Sequence, residues 1–205
     1  MKLTKLLSRV VYYLRLPELR KYFQIPTHLT DKEKASLYGL VSSSADRWSE
    51  KCDIVEIGSY LGASSCFLAA GLGELSIPGK VLCIDTWENH AMTEGVKDTM
   101  VDFLANTKQL SRHILPIRGW STEVVNIVTE SVQSIDLLFI DGDHSYDGCL
   151  ADWQAYSPLL SDKAIIVMHD IGWAEGVQRV VKQEIRPRVS KEGRLPNMWW
   201  GWIDK

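Results

Sequence analysis

Two short segments of this chain concentrate side chains able to do chemistry. One runs Phe139-Ile140-Asp141-Gly142-Asp143-His144-Ser145-Tyr146-Asp147, the other Val167-Met168-His169-Asp170. Each closes an apolar run, so each is expected at the tip of a buried strand. Carboxylates gathered at one rim are costly unless a cation or hydrogen-bond donors offset them. A hard divalent ion, held by carboxylate oxygens and keeping room for water or substrate oxygens, fits that need. Asp141 and Asp170 are therefore the candidate ligands. Asp143 reads equally well as a turn residue, with Ser145 starting the next helix. His144 follows Asp141 closely, and an imidazole with a pKa near ~6.5 can take a proton from a hydroxyl at neutral pH. A neighbouring cation would ease that task by lowering the pKa of the hydroxyl. His169 is either a third ligand, which would favour Mn²⁺, Fe²⁺ or Zn²⁺, or a group that orients its neighbour.

A third segment suggests a nucleoside site. After the apolar run Asp53–Ile57 comes Glu56-Ile57-Gly58-Ser59-Tyr60-Leu61-Gly62-Ala63-Ser64. This is E-x-G-x-x-x-G, whereas a dinucleotide fingerprint that seats a pyrophosphate needs G-x-G-x-x-G. The wider spacing and the acid suit a ligand without phosphates and with positive charge. S-adenosylmethionine, a nucleoside with an amino-acid tail and a sulfonium, has those properties. Asp85-Thr86-Trp87 follows the next apolar run, and a carboxylate there can accept both ribose hydroxyls. Gly119-Trp120-Ser121 follows a third run and borders the expected adenine position. A capped turn is an equal reading for Ser121. Glu56, Gly58, Ser59, Gly62, Ser64, Asp85, Thr86, Ser121 and Asp141 form the candidate cofactor set.

The elements that must position these residues follow from the apolar pattern. Strands are expected at 53–57, 81–84, 114–117, 135–140 and 164–168. Helices fit at 31–48, 63–72, 95–109, 122–130, 146–156 and 174–185. Strand-helix alternation with near-continuous apolar strands implies a parallel sheet covered on both faces. The expectation is α/β, a doubly wound, Rossmann-like, mostly parallel sheet whose ligands sit beyond the strand tips. The Trp-rich 198–203 segment is a candidate extra strand. Two parts are expected, a helical extension or cap over 1–50 and the sheet domain over 51–205. Trp87 and Trp173 follow strand ends, so they belong either to the core or to a ligand wall.

Composition narrows the class further. The chain has 205 residues, 45% apolar and 24% charged, with 14 Gly and 7 Pro, which excludes disordered and collagen-like chains. The net charge of −3 gives no general case for nucleic acid. Residues 1–24 are the exception, with six basic residues against one acidic, so the remainder carries −8. Their apolar residues recur at helical spacing, so a basic amphipathic helix is expected there. Packing on its own domain or on a second subunit, as in a homodimer, is favoured over a membrane surface. No apolar run reaches the ~20 residues that span a bilayer. Cys52, Cys66, Cys83 and Cys149 lack metal spacing and read as reduced buried thiols of a cytoplasmic protein.

The motifs together resemble the class I S-adenosylmethionine-dependent methyltransferases over roughly residues 50–190. The I-D-G-D-H-S-Y-D-G run and the M-H-D ending are similar to a metal-assisted O-methyltransferase subgroup. That subgroup includes the macrocin and mycinamicin sugar O-methyltransferases and relatives labelled cephalosporin hydroxylase. The catechol and caffeoyl-coenzyme A O-methyltransferases are more distant. The resemblance implies methyl transfer from S-adenosylmethionine to a hydroxyl of a small molecule, a sugar or a glycosylated or polyketide metabolite. It implies a divalent metal, Mg²⁺, on Asp141, Asp170 and the residue at His169, where the relatives carry an acid. It also implies a base at His144. Two competing readings are a nicotinamide-dependent oxidoreductase, which the absent G-x-G-x-x-G disfavours, and a non-catalytic partner subunit of methyltransferase fold.

Overall fold

In the computed structural model, which describes residues 14, 16–48, 50–89 and 95–204, the five apolar runs become parallel strands. They are β1 Ile54–Ile57, β2 Val81–Asp85, β3 Ile114–Arg118, β4 Ile135–Ile140 and β5 Leu160–His169. Two antiparallel strands complete the sheet, β6 Lys191–Arg194 and β7 Met198–Trp202. The order is β3-β2-β1-β4-β5-β7-β6. The winding reverses between β1 and β4, and in such sheets ligands bind at that reversal. β7 is the Trp-rich segment. β6, Lys-Glu-Gly-Arg, has no apolar pattern that could announce it and forms as an edge partner of β7.

Helices cover both faces: α1 Asp31–Ser42, α2 Ala63–Gly73, α3 Met100–Thr107, α4 Val125–Ser131, α5 Tyr146–Tyr156 and α6 Glu175–Val180. Strand residues alternate between two cores. Ile54, Val81, Leu137, Phe139, Ile165 and Val167 face α1, α2 and Phe103 of α3. Val55, Leu82, Leu138, Ile140, Ile166 and Met168 face the side of α4, α5 and α6. The four cysteines are free and buried.

Several boundaries differ from the sequence expectation. α1 stops at Ser42, because the Ser43 and Ser44 hydroxyls bond back to the carbonyls of Gly39 and Leu40 and compete with the helix ladder. Trp48 is still buried, but from extended chain beyond a 3-10 turn at Ala45–Arg47. α3 begins only at Met100, since Lys97 and Thr99 spend their amides on the carbonyls of Glu88 and Trp87. α6 passes into a π turn, Val181–Ile185. Of the basic segment, residues 1–13 and Arg15 lie outside the described residues. Residues 16–24 form two 3-10 turns, Pro17–Leu19 and Tyr22–Gln24, and Pro17 starts the first of them. Leu19, Tyr22 and Phe23 join the α1 and α2 core, so the described part of 1–50 packs into the domain.

Candidate functional site

Register sets the rim. Ile57 pairs with Ile84 on one side and Ile140 on the other, and Ile140 pairs with Met168. The residues next in line, Gly58, Asp85, Asp141 and His169, therefore share one level, with Asp170 one step beyond. Gly58 has φ +88°, and an added Cβ would lie 2.1 Å from the Asp141 carbonyl oxygen. Only glycine lets the tips of β1 and β4 close in this way. Gly62, at φ +83°, makes the same allowance for Thr107 and Phe103 of α3.

On the β1 and β2 side the chain forms a cradle. Glu56 is fully buried, and its Oε2 accepts a hydrogen bond from the Ser65 hydroxyl in the first turn of α2. Burial pushes this carboxyl up, partly offset by the hydroxyls of Ser64 and Ser65. Glu56 Oε1 and the Ser59 hydroxyl are buried without a hydrogen-bond partner, an expense a polar ligand would relieve. The Asp85 carboxylate receives the Tyr60 amide at 2.8 Å and the Trp87 amide at 2.7 Å, which fixes both oxygens at the strand tip. Thr86 accepts the Glu88 amide at 3.3 Å and shapes the turn. Orphaned polar atoms that match an ammonium and a carboxylate at the ribose position fit S-adenosylmethionine.

Trp87 resolves to core. It is fully buried against Phe103 and donates to the Tyr60 carbonyl at 2.9 Å. Ser121 donates to Asp152 of α5. Asp152 is 3% exposed, and burial, only partly offset by Ser121, lifts its carboxyl to about 6. Its Oδ2 lies under Gly142, 3.2 Å from where a Cβ would stand.

The β4 and β5 tips bring the predicted acidic groups together. Ligand atoms of Asp141, His144 and Asp170 lie within 4.8 Å of one another. His144 Nε2 stands 2.8 Å from Asp170 Oδ2, and that bond, against partial burial, raises the imidazole pKa. Asp170 sits in the left-handed region at φ +58°, a conformation that survives where surrounding contacts hold it. It also accepts from Trp173 Nε1 and from Asn197 Nδ2, each at 2.7 Å. Burial works against its charge, yet His144, His169 and Asn197 keep its carboxyl well below the usual range. Asp141 is pushed up by burial, with His169 offsetting part of it.

His169 does not join the three-residue group. Alternation along β5 turns it toward α1 with Ile165 and Val167, and both ring nitrogens are engaged. Nδ1 faces Asp141 Oδ1 at 3.0 Å and Asp170 Oδ1 at 3.3 Å, and Nε2 lies 3.5 Å from Asn197 Nδ2 and 3.7 Å from Glu33 Oε2. Burial pulls this imidazole down, but the three carboxylates outweigh it and raise it to about 12. The ring thus lies among carboxylates, while the ligand atoms that converge at the rim come from Asp141, His144 and Asp170. Asp143 takes its turn reading, accepting the Ser145 amide at 2.7 Å, while Ser145 caps α5.

A doubly wound sheet with acids at the tips of β2, β4 and β5 has the architecture of a class I methyltransferase. Comparison with known proteins agrees, and the chain belongs to a methyltransferase domain family whose profile matches residues 55–171. The "Uncharacterized protein y4gI" of Sinorhizobium fredii is 32% identical over 121 residues, which is 57% of this chain and 13% of that protein. The chain therefore spans about an eighth of that relative's length. Solved structures share the fold. The O-methyltransferase from Bacillus cereus in complex with SAH has TM-score 0.67 at 19% identity, over 97% of this chain and 91% of that one. NovP, an O-methyltransferase, has TM-score 0.74 at 12% identity, over 92% and 88%. The MycE methyltransferase of the mycinamycin pathway, solved with Mg, SAH and mycinamycin VI, has TM-score 0.59 at 12% identity, over 91% and 52%. Among the described residues no helix is long and apolar enough to cross a membrane.

Glu33, Asn197 and Asp152, which meet His169, Asp170 and Ser121, stand in no local motif of the sequence, and only the fold brings them to these partners.

Proposed function

We propose that this chain transfers a methyl group from S-adenosylmethionine to a hydroxyl of a small molecule, with a divalent cation, Mg²⁺ by its oxygen donors, on Asp141 and Asp170. The carrying observation is the convergence of Asp141, His144 and Asp170 within 4.8 Å, directly beside the β1 tip that bears the cradle. Glu56 and Ser59 would receive the amino-acid end of the cofactor, Asp85 the ribose, and Ser121 the adenine edge. The cofactor supplies an electrophilic methyl group, and the cation supplies charge that lowers the pKa of an acceptor hydroxyl. The protein aligns the acceptor oxygen with the methyl carbon and sulfur, which is catalysis by proximity. We assign His144 to take the hydroxyl proton. Trp173 is 61% exposed, is fixed through Nε1 to Asp170 and lies edge-on to the His144 ring at 5.0 Å, so it forms a wall for the acceptor. A sugar or a glycosylated or polyketide metabolite is the acceptor class, supported by MycE and its mycinamycin ligand. An intracellular setting and a homodimer belong to the same reading.

The closeness of His144 to both carboxylates supports a second reading in which it is the third ligand. His144→Ala separates the two in the full chain. If His144 is the base, Mn²⁺ affinity persists and methyl transfer is lost. If it is a ligand, Mn²⁺ affinity falls with transfer. Wild-type protein that binds S-adenosylhomocysteine but no divalent ion overturns the metal-assisted proposal.

A further inference from the structure

Glu33 belongs to the first turn of α1, at the third helical position. Its Oε2 accepts the Thr30 amide at 2.7 Å and the Thr30 hydroxyl at 2.8 Å, while Thr30 accepts the Glu33 amide at 3.2 Å. That is a capping box, a motif that glutamine serves as well as glutamate and that normally stands at the surface. Here the residue is 2% exposed, so a carboxylate is buried where the cap itself needs only an oxygen. The same oxygen lies 3.7 Å from Nε2 of His169, a side chain 1% exposed. The other ring nitrogen of His169 contacts Asp141 and Asp170. One imidazole thus joins a carboxylate of α1 to both carboxylates of the rim.

Resting on the metal reading of that rim, we infer that Glu33 is a positioning residue for the cation site. With Asn197 Nδ2 at 3.5 Å, the Glu33 carboxylate at 3.7 Å flanks Nε2 of His169 and helps hold the ring so that Nδ1 faces Asp141. The described N-terminal segment, through α1, thereby completes the site from outside the span matched by the family profile. Groups that hold metal-binding carboxylates from behind affect metal affinity by about 10–100-fold.

The test is Mn²⁺ titration of the full chain saturated with S-adenosylhomocysteine, followed by electron paramagnetic resonance. Glu33→Gln keeps the capping box and removes the charge. It is expected to weaken Mn²⁺ about 10–100-fold, while S-adenosylhomocysteine affinity and melting temperature stay near wild type. His169→Asn keeps an amide donor near the Nδ1 position but cannot reach Glu33, so it should show a similar loss. The double variant should be no weaker than the weaker single one, because both cut the same link. Wild-type affinity for Mn²⁺ in folded Glu33→Gln, or losses that multiply in the double variant, overturn the inference. Should Glu33→Gln fail to fold, undiminished Mn²⁺ binding by folded His169→Asn overturns it equally. Asp141→Asn separates the layers. If it binds Mn²⁺ as tightly as wild type, the metal reading and this inference fall together. If Asp141→Asn loses Mn²⁺ and Glu33→Gln does not, only the Glu33 inference fails.

Discussion

Asp152→Asn is expected to stabilise the cofactor-free protein at neutral pH. The carboxyl is almost wholly buried in α5, and burial lifts it to about 6 from an ordinary 3.8. The folded state therefore holds this proton more tightly than the unfolded state. The residue favours the fold at low pH, and that contribution is lost as pH rises through about 6. The difference of roughly two pKa units corresponds to about 3 kcal/mol at pH 7. At pH 4.5 the same two pKa values leave about 1 kcal/mol. Asparagine keeps an oxygen to accept the Ser121 hydroxyl and never ionises, so it escapes this cost. Urea denaturation of both proteins at pH 7 and pH 4.5 should show a gain for the variant that shrinks by about 2 kcal/mol at the lower pH. A variant that is less stable at pH 7, or a difference indifferent to pH, would refute the reasoning.

Three further outcomes follow from the site. Gly58→Ala places a Cβ 2.1 Å from the Asp141 carbonyl oxygen at φ +88°, so it should cost more than ~3 kcal/mol in chemical denaturation and part the β1 and β4 tips. Asp85→Ala orphans two backbone amides and removes the acceptor at the ribose position; calorimetry should show S-adenosylhomocysteine binding weakened roughly 10–100-fold. Trp173→Ala, at an exposed position, should raise the KM of the acceptor about tenfold while leaving cofactor affinity unchanged.

How much of this was legible in the sequence depends on distance along the chain. The strands and the reversal were readable because continuous apolar runs encode burial on both faces, and Ile54–Ile57 and Ile135–Ile140 are such runs. The acids at the tips were readable because a strand end puts its next residues at the rim. Glu33, Asn197 and Asp152 were not, since each acts on a residue far away in the chain and has no local pattern to mark it. His169 is intermediate. Its type suggested ligand chemistry, but its parity on β5 turns it toward α1, and only the packing of that helix supplies Glu33. The same logic explains Trp87 and Trp173. Both follow strand ends, yet the turn at Trp87 folds its ring onto Phe103, while Trp173 is held at the surface by Asp170.

The most direct measurement is a crystal structure with S-adenosylhomocysteine and Mn²⁺ present together, with anomalous scattering used to locate the metal. An anomalous peak shared by the Asp141 and Asp170 carboxylates, next to the cofactor sulfur, is the expected result. A cofactor seated at Glu56 and Asp85 with no metal between those two carboxylates would contradict the proposal.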